Sequence, residues 1–212
     1  MRQRRNYQRE LTELIQAQTG GRESLLLHCC CAPCSSYVLE YLHTHFDITV
    51  FFYNPNITED AEYRKRKQEL LRFLSEAPYG ENIHILDADY EPALFLQAVK
   101  GYENCPERGE RCERCFFLRL SKTAKRAAEL GFAFFGTTLS ISPHKDADML
   151  MKIGEELADE YGIRFLPSDF KKKNGYKRSI ELSEEYGLYR QDYCGCVFSR
   201  KERERQKMRE KI

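Results

Sequence analysis

The sequence predicts an α/β fold, a parallel sheet with helices on both faces. Three observations carry that prediction. The apolar runs Ser24 to His28, Ile48 to Tyr53, Ile83 to Leu86 and Phe132 to Gly136 have strand length. Segments with helical spacing of apolar residues separate them, which is the alternation βαβ units require. At 212 residues with 42% hydrophobic side chains, the chain can bury one sizeable core.

The first run ends at His28 and meets Cys29-Cys30-Cys31-Ala32-Pro33-Cys34; Tyr37, Leu39, Tyr41 and Leu42 then read as a helix beyond Pro33. The second run closes at Asn54-Pro55-Asn56, and Thr58 is placed to cap a helix from Glu59 to Ser75. Pro92 suits the first turn of a helix reaching Val99, where proline gives up no internal hydrogen bond, before Gly101, Pro106 and Gly109 break the pattern. Glu113 to Leu130 is the strongest amphipathic segment. Phe117, Leu120, Ala124 and Ala127 or Ala128 share one stripe, with Arg114, Lys122, Lys125 and Arg126 mainly opposite, and Gly131 ends it. The fourth run leads into a polar loop from Thr137 to Asp146, and beyond Tyr161 the chain reads as a helical appendage.

The expected units are an N-terminal extension at 1–21, an α/β core at 22–162 and a C-terminal helical region at 163–212, with no internal repeat or low-complexity linker. Parallel sheets gather ligands at the carboxyl ends of their strands. Cys29 to Cys34, Asn54 to Asn56 and Thr137 to Asp146 all follow strands, so they are expected at one rim. No apolar run has the length of a membrane span, and the basic N-terminus is followed by Glu10, Glu13 and Gln16 where a leader would be apolar. The expected compartment is the cytoplasm, with no membrane partner.

Net charge is only +1, yet it is segregated. Glu59 to Glu91 is rich in acids, while Arg111 to Arg126, Arg164 to Arg178 and Arg200 to Lys211 are rich in Lys and Arg. Such a chain can present a basic face to a polyanion without being basic overall.

The chemistry resides in nine cysteines, most of them in three groups: Cys29 to Cys34, Cys112 with Cys115, and Cys194-Gly195-Cys196. Clustered thiols in a reducing compartment bind metal or exchange electrons more often than they form a disulfide scaffold. Cys112 and Cys115 at the start of a helix supply half a metal site, and the Cys29 to Cys34 loop is the richest source of the rest. Zinc and an iron-sulfur cluster both fit the ligand type. Adjacent thiols favour the cluster, because neighbouring residues seldom reach one tetrahedral ion whereas a cubane offers each thiolate its own iron. Cys194 and Cys196 approach each other only across a bent backbone, which Gly195 allows, and read as a redox-active pair, a second metal pair or two free thiols. Ser142, His144 and Lys145, with Ser140, form a polar loop able to donate hydrogen bonds to an anionic or hydroxyl-bearing substrate.

Five motifs in order, His28-Cys29-Cys30-Cys31-Ala32-Pro33-Cys34, Tyr53-Asn54-Pro55-Asn56-Ile57, Arg111-Cys112-Glu113-Arg114-Cys115-Phe116, Thr137-Thr138-Leu139-Ser140-Ile141-Ser142-Pro143 and Tyr189-Arg190-Gln191-Asp192-Tyr193-Cys194-Gly195-Cys196, resemble the QueH-type epoxyqueuosine reductases. The resemblance implies reduction of epoxyqueuosine to queuosine at the wobble position of tRNA, the last step of queuosine synthesis, without cobalamin. It implies an adenine-nucleotide-hydrolase-like fold related to the PP-loop enzymes that thiolate tRNA, although their Ser-Gly-Gly-x-Asp-Ser loop is replaced here by the cysteine loop. It implies a 4Fe-4S cluster on Cys30, Cys31, Cys112 and Cys115, a redox-active disulfide of Cys194 and Cys196, and an adjacent mononuclear iron for which Cys34 is the candidate ligand. Cys29 departs from the family pattern by making three consecutive thiols, and the distance to Ala32-Pro33 favours Cys30 and Cys31 as the ligand pair. Asn54, Asn56, Ser142, His144 and Lys145 are the expected substrate-binding residues. The partners are then the modified tRNA and an electron donor that the sequence does not name. Two other classes remain open, an iron-sulfur enzyme that thiolates tRNA and a zinc-stabilised RNA-binding module.

Overall fold

A computed structural model describes residues 5–209. Five strands, β1 (Glu23–His28), β2 (Phe46–Phe51), β3 (His84–Leu86), β4 (Phe134–Thr137) and β5 (Arg164–Phe165), form one sheet in the order β3-β2-β1-β4-β5. Every pairing is parallel, with Leu25 opposite both Ile48 and Phe134 across the centre. The helices are α1 (Tyr7–Gln16), α2 (Ala32–Leu42), α3 (Asp60–Glu76), α4 (Pro92–Ala98), α5 (Glu110–Glu129), α6 (Ala147–Tyr161), α7 (Gly175–Glu185) and α8 (Val197–Arg209). The expected fold class is the observed one.

Two cores follow from the two-residue period of the strands. Leu25, Leu27 and Phe134 point to one side, where Val38, Leu39 and Leu42 of α2 and Leu70 and Phe73 of α3 cover them. Leu26 and Phe135 point to the other, against Phe116, Leu120 and Ala124 of α5 and Leu150, Ile153 and Leu157 of α6. The central strands therefore read as continuous apolar runs because both faces are buried. Truncating one of these leucines to alanine leaves a hole costing about 2–5 kcal/mol.

Several local expectations shift. Glu59, not Thr58, precedes the first residue of α3, and the Thr58 N–H instead donates to the Gly195 carbonyl at 3.4 Å. On α5 the buried stripe runs through Cys112, Cys115, Phe116, Arg119, Leu120 and Ala124, leaving Phe117 44% exposed. The helix starts at Glu110, three residues earlier than its apolar pattern. Arg164 and Phe165 add an edge strand in a stretch expected to be helical; two residues carry no readable period. The helices α1 and α6 went unassigned in the sequence. Asp146 caps α6 by accepting from the N–H groups of Asp148 and Met149, and Gly162 ends it in the left-handed conformation.

The helix α7 packs on α2 at Gly175, whose place any Cβ would contest: it would lie 2.1 Å from the Phe170 carbonyl oxygen and 2.3 Å from the Tyr37 ring. Arg178 of α7 adds a two-bond ion pair to Glu40 of α2, at 2.6 and 3.0 Å. Gly175→Ala should destabilise the fold by about 1–3 kcal/mol through overpacking, read as a lower denaturant midpoint at unchanged slope.

Candidate active site

The strand order reverses direction between β1 and β4, so the loops leaving their carboxyl ends diverge and open a crevice. A cleft of about 490 Å³ lies there, a volume suited to a small organic group. Its walls include Cys30, Cys31 and Cys34 from the β1–α2 segment, Ser142, His144 and Lys145 from the segment after β4, and Cys194 from the C-terminal region.

The three consecutive thiols part company. The Cys29 N–H donates to the Phe51 carbonyl at 3.0 Å, extending the ladder one residue past β1, and its side chain is 0% exposed in the core. Burial raises the Cys29 thiol far above its ordinary range. Cys30 and Cys31 face the cleft, with their sulfurs 3.8 Å apart, and Cys34 brings a third sulfur from the first turn of α2. All three lie within 4.8 Å of one another. A tetrahedral ion with metal–sulfur bonds of about 2.3 Å sets its ligands about 3.8 Å apart, so this trio has the size of a single-ion site. Neighbouring residues seldom reach one ion, yet the Cys30 and Cys31 sulfurs approach to 3.8 Å across the extended backbone of Cys31, φ −172° and ψ 163°. Hydrogen bonds from Cys31 and Cys34 hold the Cys30 thiol well below its usual range, with the charge of Arg119 assisting against burial. The same bond from its other side raises Cys31 to about 12.

Cys112 and Cys115 occupy the first two turns of α5, both buried, and do not join the compact trio. The Arg108 N–H donates to the Cys112 sulfur at 3.4 Å. Burial raises both thiols, Cys115 to about 11. Cys30 packs on the same apolar cluster as Cys112, while Cys115 shares a cluster with Cys196, against which Cys194 packs. The start of α5 therefore shares apolar clusters with both other cysteine groups.

Cys194-Gly195-Cys196 is a bent, clamped loop. Gly195 has φ +111°, and a Cβ there would lie 2.8 Å from Ile57. The Cys194 carbonyl accepts from Asn56 Nδ2 at 3.3 Å and Arg66 Nη1 at 3.2 Å, and the buried Arg66 is itself paired with Glu62 at 2.6 Å. The two sulfurs lie 3.5 Å apart, within reach of a thiol hydrogen bond and beyond the about 2.05 Å of a disulfide. Cys196, 5% exposed, accepts from the Ser199 N–H at 3.3 Å and thereby caps α8; Ser199 Oγ is 3.0 Å from the Cys194 sulfur. A hydrogen bond from Cys196, with the charge of Lys145, holds Cys194 well below the ordinary thiol range despite burial, and the shared bond pushes Cys196 up.

Lys145 donates to Glu107 at 3.2 Å; burial opposes its charge, but Cys194 and Glu107 outweigh it and keep the amine protonated. Asn54 and Asn56 are buried: Asn54 Nδ2 donates to the Cys29 carbonyl at 2.8 Å and its oxygen accepts from Arg119 Nη2 at 2.6 Å, whereas the Asn56 Oδ1 has no hydrogen-bond partner among the described residues. Sequence reasoning missed Arg119, His28, Arg66 and Ser199. Two of them had a signal, since Arg119 is one turn beyond Cys115 and Ser199 follows Cys196 at capping distance. The basic runs are less available than expected. Arg111 is 2% exposed and bonded to Glu202 and the Glu103 carbonyl, while Arg200, Arg203 and Lys207 pair with Glu59 or Asp192. Lys211 lies outside the described residues.

An open parallel sheet whose carboxyl edge bears thiols from three chain segments, with fixed cations among them, defines a cysteine-centred α/β protein. The chain belongs to the QueH family: the family model described as epoxyqueuosine reductase QueH matches residues 25–202. It is 46% identical over 203 residues to the epoxyqueuosine reductase QueH of Streptococcus pyogenes, covering 94% of this chain and 80% of that one. The Staphylococcus epidermidis protein of the same name is 41% identical over 203 residues, 93% and 85% of the two chains. That of Thermotoga maritima is 39% identical over 184 residues, 85% and 92%.

Brief alkylation of the folded metal-free chain at neutral pH should label Cys194 and Cys30 first and leave Cys29 unlabelled until denaturant is added. Peptide mass spectrometry reads the order, and early labelling of Cys29 would contradict its placement in the core.

Proposed function

We propose that this protein reduces epoxyqueuosine to queuosine at the wobble position of tRNA, the last step in making that nucleoside. The meeting of Cys30, Cys31, Cys34 and Cys194 in one cleft, in a member of this family, carries the reading. The metal ligands are Cys30, Cys31, Cys112 and Cys115 for a 4Fe-4S cluster, with Cys34 offered to an adjacent iron. An all-thiol donor set is what such clusters take, and a cubane spreads its ligands more widely than one ion does, so Cys112 and Cys115 need not join the compact trio. A bound cluster supplies electrons one at a time.

The remaining chemistry falls to the chain. Turning an epoxide into an alkene breaks two C–O bonds, takes up two electrons and two protons, and releases water. Closing the Cys194–Cys196 disulfide breaks two S–H bonds, forms one S–S bond and releases two electrons and two protons, so the two half-reactions balance. Cys194 is the sulfur that faces the cleft, and an external thiol regenerating the pair meets it first; the buried Cys196 resolves. Lys145 keeps a positive charge in the cleft beside the oxygen that gains negative charge. Exposed cations of all three basic runs, among them Lys125, Lys172, Lys201 and Arg205, are available to hold tRNA phosphates, with the modified base turned out into the cleft.

The single-ion spacing of Cys30, Cys31 and Cys34 favours one second reading, a zinc site in an RNA-binding protein without redox chemistry. Anaerobic metal analysis separates the two: iron with sulfide and visible absorbance supports the reductase, and a colourless zinc protein overturns it.

Incubation with tRNA carrying epoxyqueuosine and a low-potential reductant should yield queuosine, read by nucleoside mass spectrometry; unchanged epoxyqueuosine with a loaded protein would refute the activity. Cys112→Ala or Cys115→Ala should abolish both visible absorbance and turnover. Cys194→Ser should lower multiple turnover more than tenfold while leaving the absorbance in place. The affinity for tRNA should fall with salt along a straight log–log line, and a flat response would remove the phosphate contacts from the account.

A further inference from the structure

Arg119 is a buried guanidinium without a counter-charge. Its side chain leaves the α5 face that meets the sheet, is 3% exposed, and reaches the wall of the cleft. Its hydrogen-bond partners are neutral: Asn54 Oδ1 at 2.6 Å and His28 Nε2 at 3.2 Å. Burial, with Arg119 second, pushes the His28 imidazole down to about 3, so it carries no charge at neutral pH. His28 Nε2 also lies 3.1 Å from the Tyr53 carbonyl, and Nδ1 lies 2.9 Å from Thr137 Oγ1. No carboxylate forms an ion pair with Arg119 among the described residues. The other buried arginines differ, Arg66 being paired with Glu62 and Arg111 with Glu202.

A buried cation left unpaired is strongly destabilising, so a protein that keeps one has an anion for it. The groups around Arg119 say which anion. Arg119 lines the same cleft as Cys30, which belongs to one half of the expected ligand set, and Cys115 belongs to the other. Helix geometry agrees, since Arg119 stands one turn beyond Cys115 on the same face of α5.

We propose that Arg119 is the fixed counter-charge of the thiolate-ligated centre, a positioning residue that holds positive charge beside Cys30 and Cys115 and so favours the reduced, more negative state of the group they bind. The inference rests on the iron-sulfur reading above and adds to it the residue that tunes the centre. Asn54 and His28 act as neutral struts: they orient the guanidinium without cancelling its charge.

The test is a redox titration of the anaerobically reconstituted full-length protein, followed by the spectroscopic signal of the reduced cluster, in the wild type, Arg119→Gln, Arg119→Lys and Asn54→Asp. Asn54→Asp keeps the Arg119 side chain and gives it the carboxylate it lacks, while removing the Nδ2 donor to the Cys29 carbonyl. Arg119→Gln and Asn54→Asp are each expected to disfavour reduction about tenfold, which is about 59 mV for one electron. Arg119→Lys is expected to stay near the wild type. Wild-type midpoints in both Arg119→Gln and Asn54→Asp, or an equal shift in Arg119→Lys, would overturn the proposal, because charge would then not be what Arg119 contributes. Should Arg119→Gln fail to fold, Asn54→Asp decides. A wild type that takes up no iron and sulfide ends the iron-sulfur reading and this one together, whereas a loaded wild type with unshifted variants ends this one alone.

Discussion

The floor of the cleft is one buried polar knot. Arg119 of α5, His28 at the end of β1, Asn54 just past β2 and Thr137 at the end of β4 bond to one another in sequence, and Asn54 continues to the Cys29 carbonyl. Each group belongs to a different element. Every member satisfies its neighbour, so the knot fixes where three strands stop and their loops turn away, as a fully connected buried network does. The positions of Cys30, of the loop bearing Lys145 and of the Asn56 clamp on the Cys194 carbonyl all depend on those departures. Apolar packing makes the sheet, but this knot aims what the sheet carries.

The coarse fold was legible because both faces of the central strands are buried, which writes them as unbroken apolar runs, and because α3 and α5 carry strong periods. Short elements were not legible. Arg164 and Phe165 form a strand by pairing with β4, a tertiary event with no pattern of its own. On α5, sequence period put Phe117 inward, whereas the structure spends buried positions on Cys112, Cys115 and Arg119 and leaves Phe117 outside. A face chosen for chemistry does not read as apolar, and a rule that seeks apolar stripes misses it by one residue.

The same limit applies at the cleft. Spacing alone marked all three cysteine groups, and the polar loop around Ser142, His144 and Lys145 lies where the topology argument set it. What spacing could not show is the separation of Cys29 from its neighbours, which leaves that thiol in the core while Cys30 and Cys31 line the cleft. Nor could it show that Asn54 and Asn56 are structural ties to the cysteine loops. Basic runs misled for a physical reason: guanidinium groups such as Arg111 and Arg119 are as able to bond buried carbonyls and carboxamides as to meet phosphate.

The outer strands have a bearing on how copies of the molecule meet. At one side the sheet ends in the three residues of β3, at the other in the two of β5. Margins this brief present few unpaired amides in a row, so edge-to-edge joining of sheets, the usual route from a stray strand to a fibre, finds almost no template here.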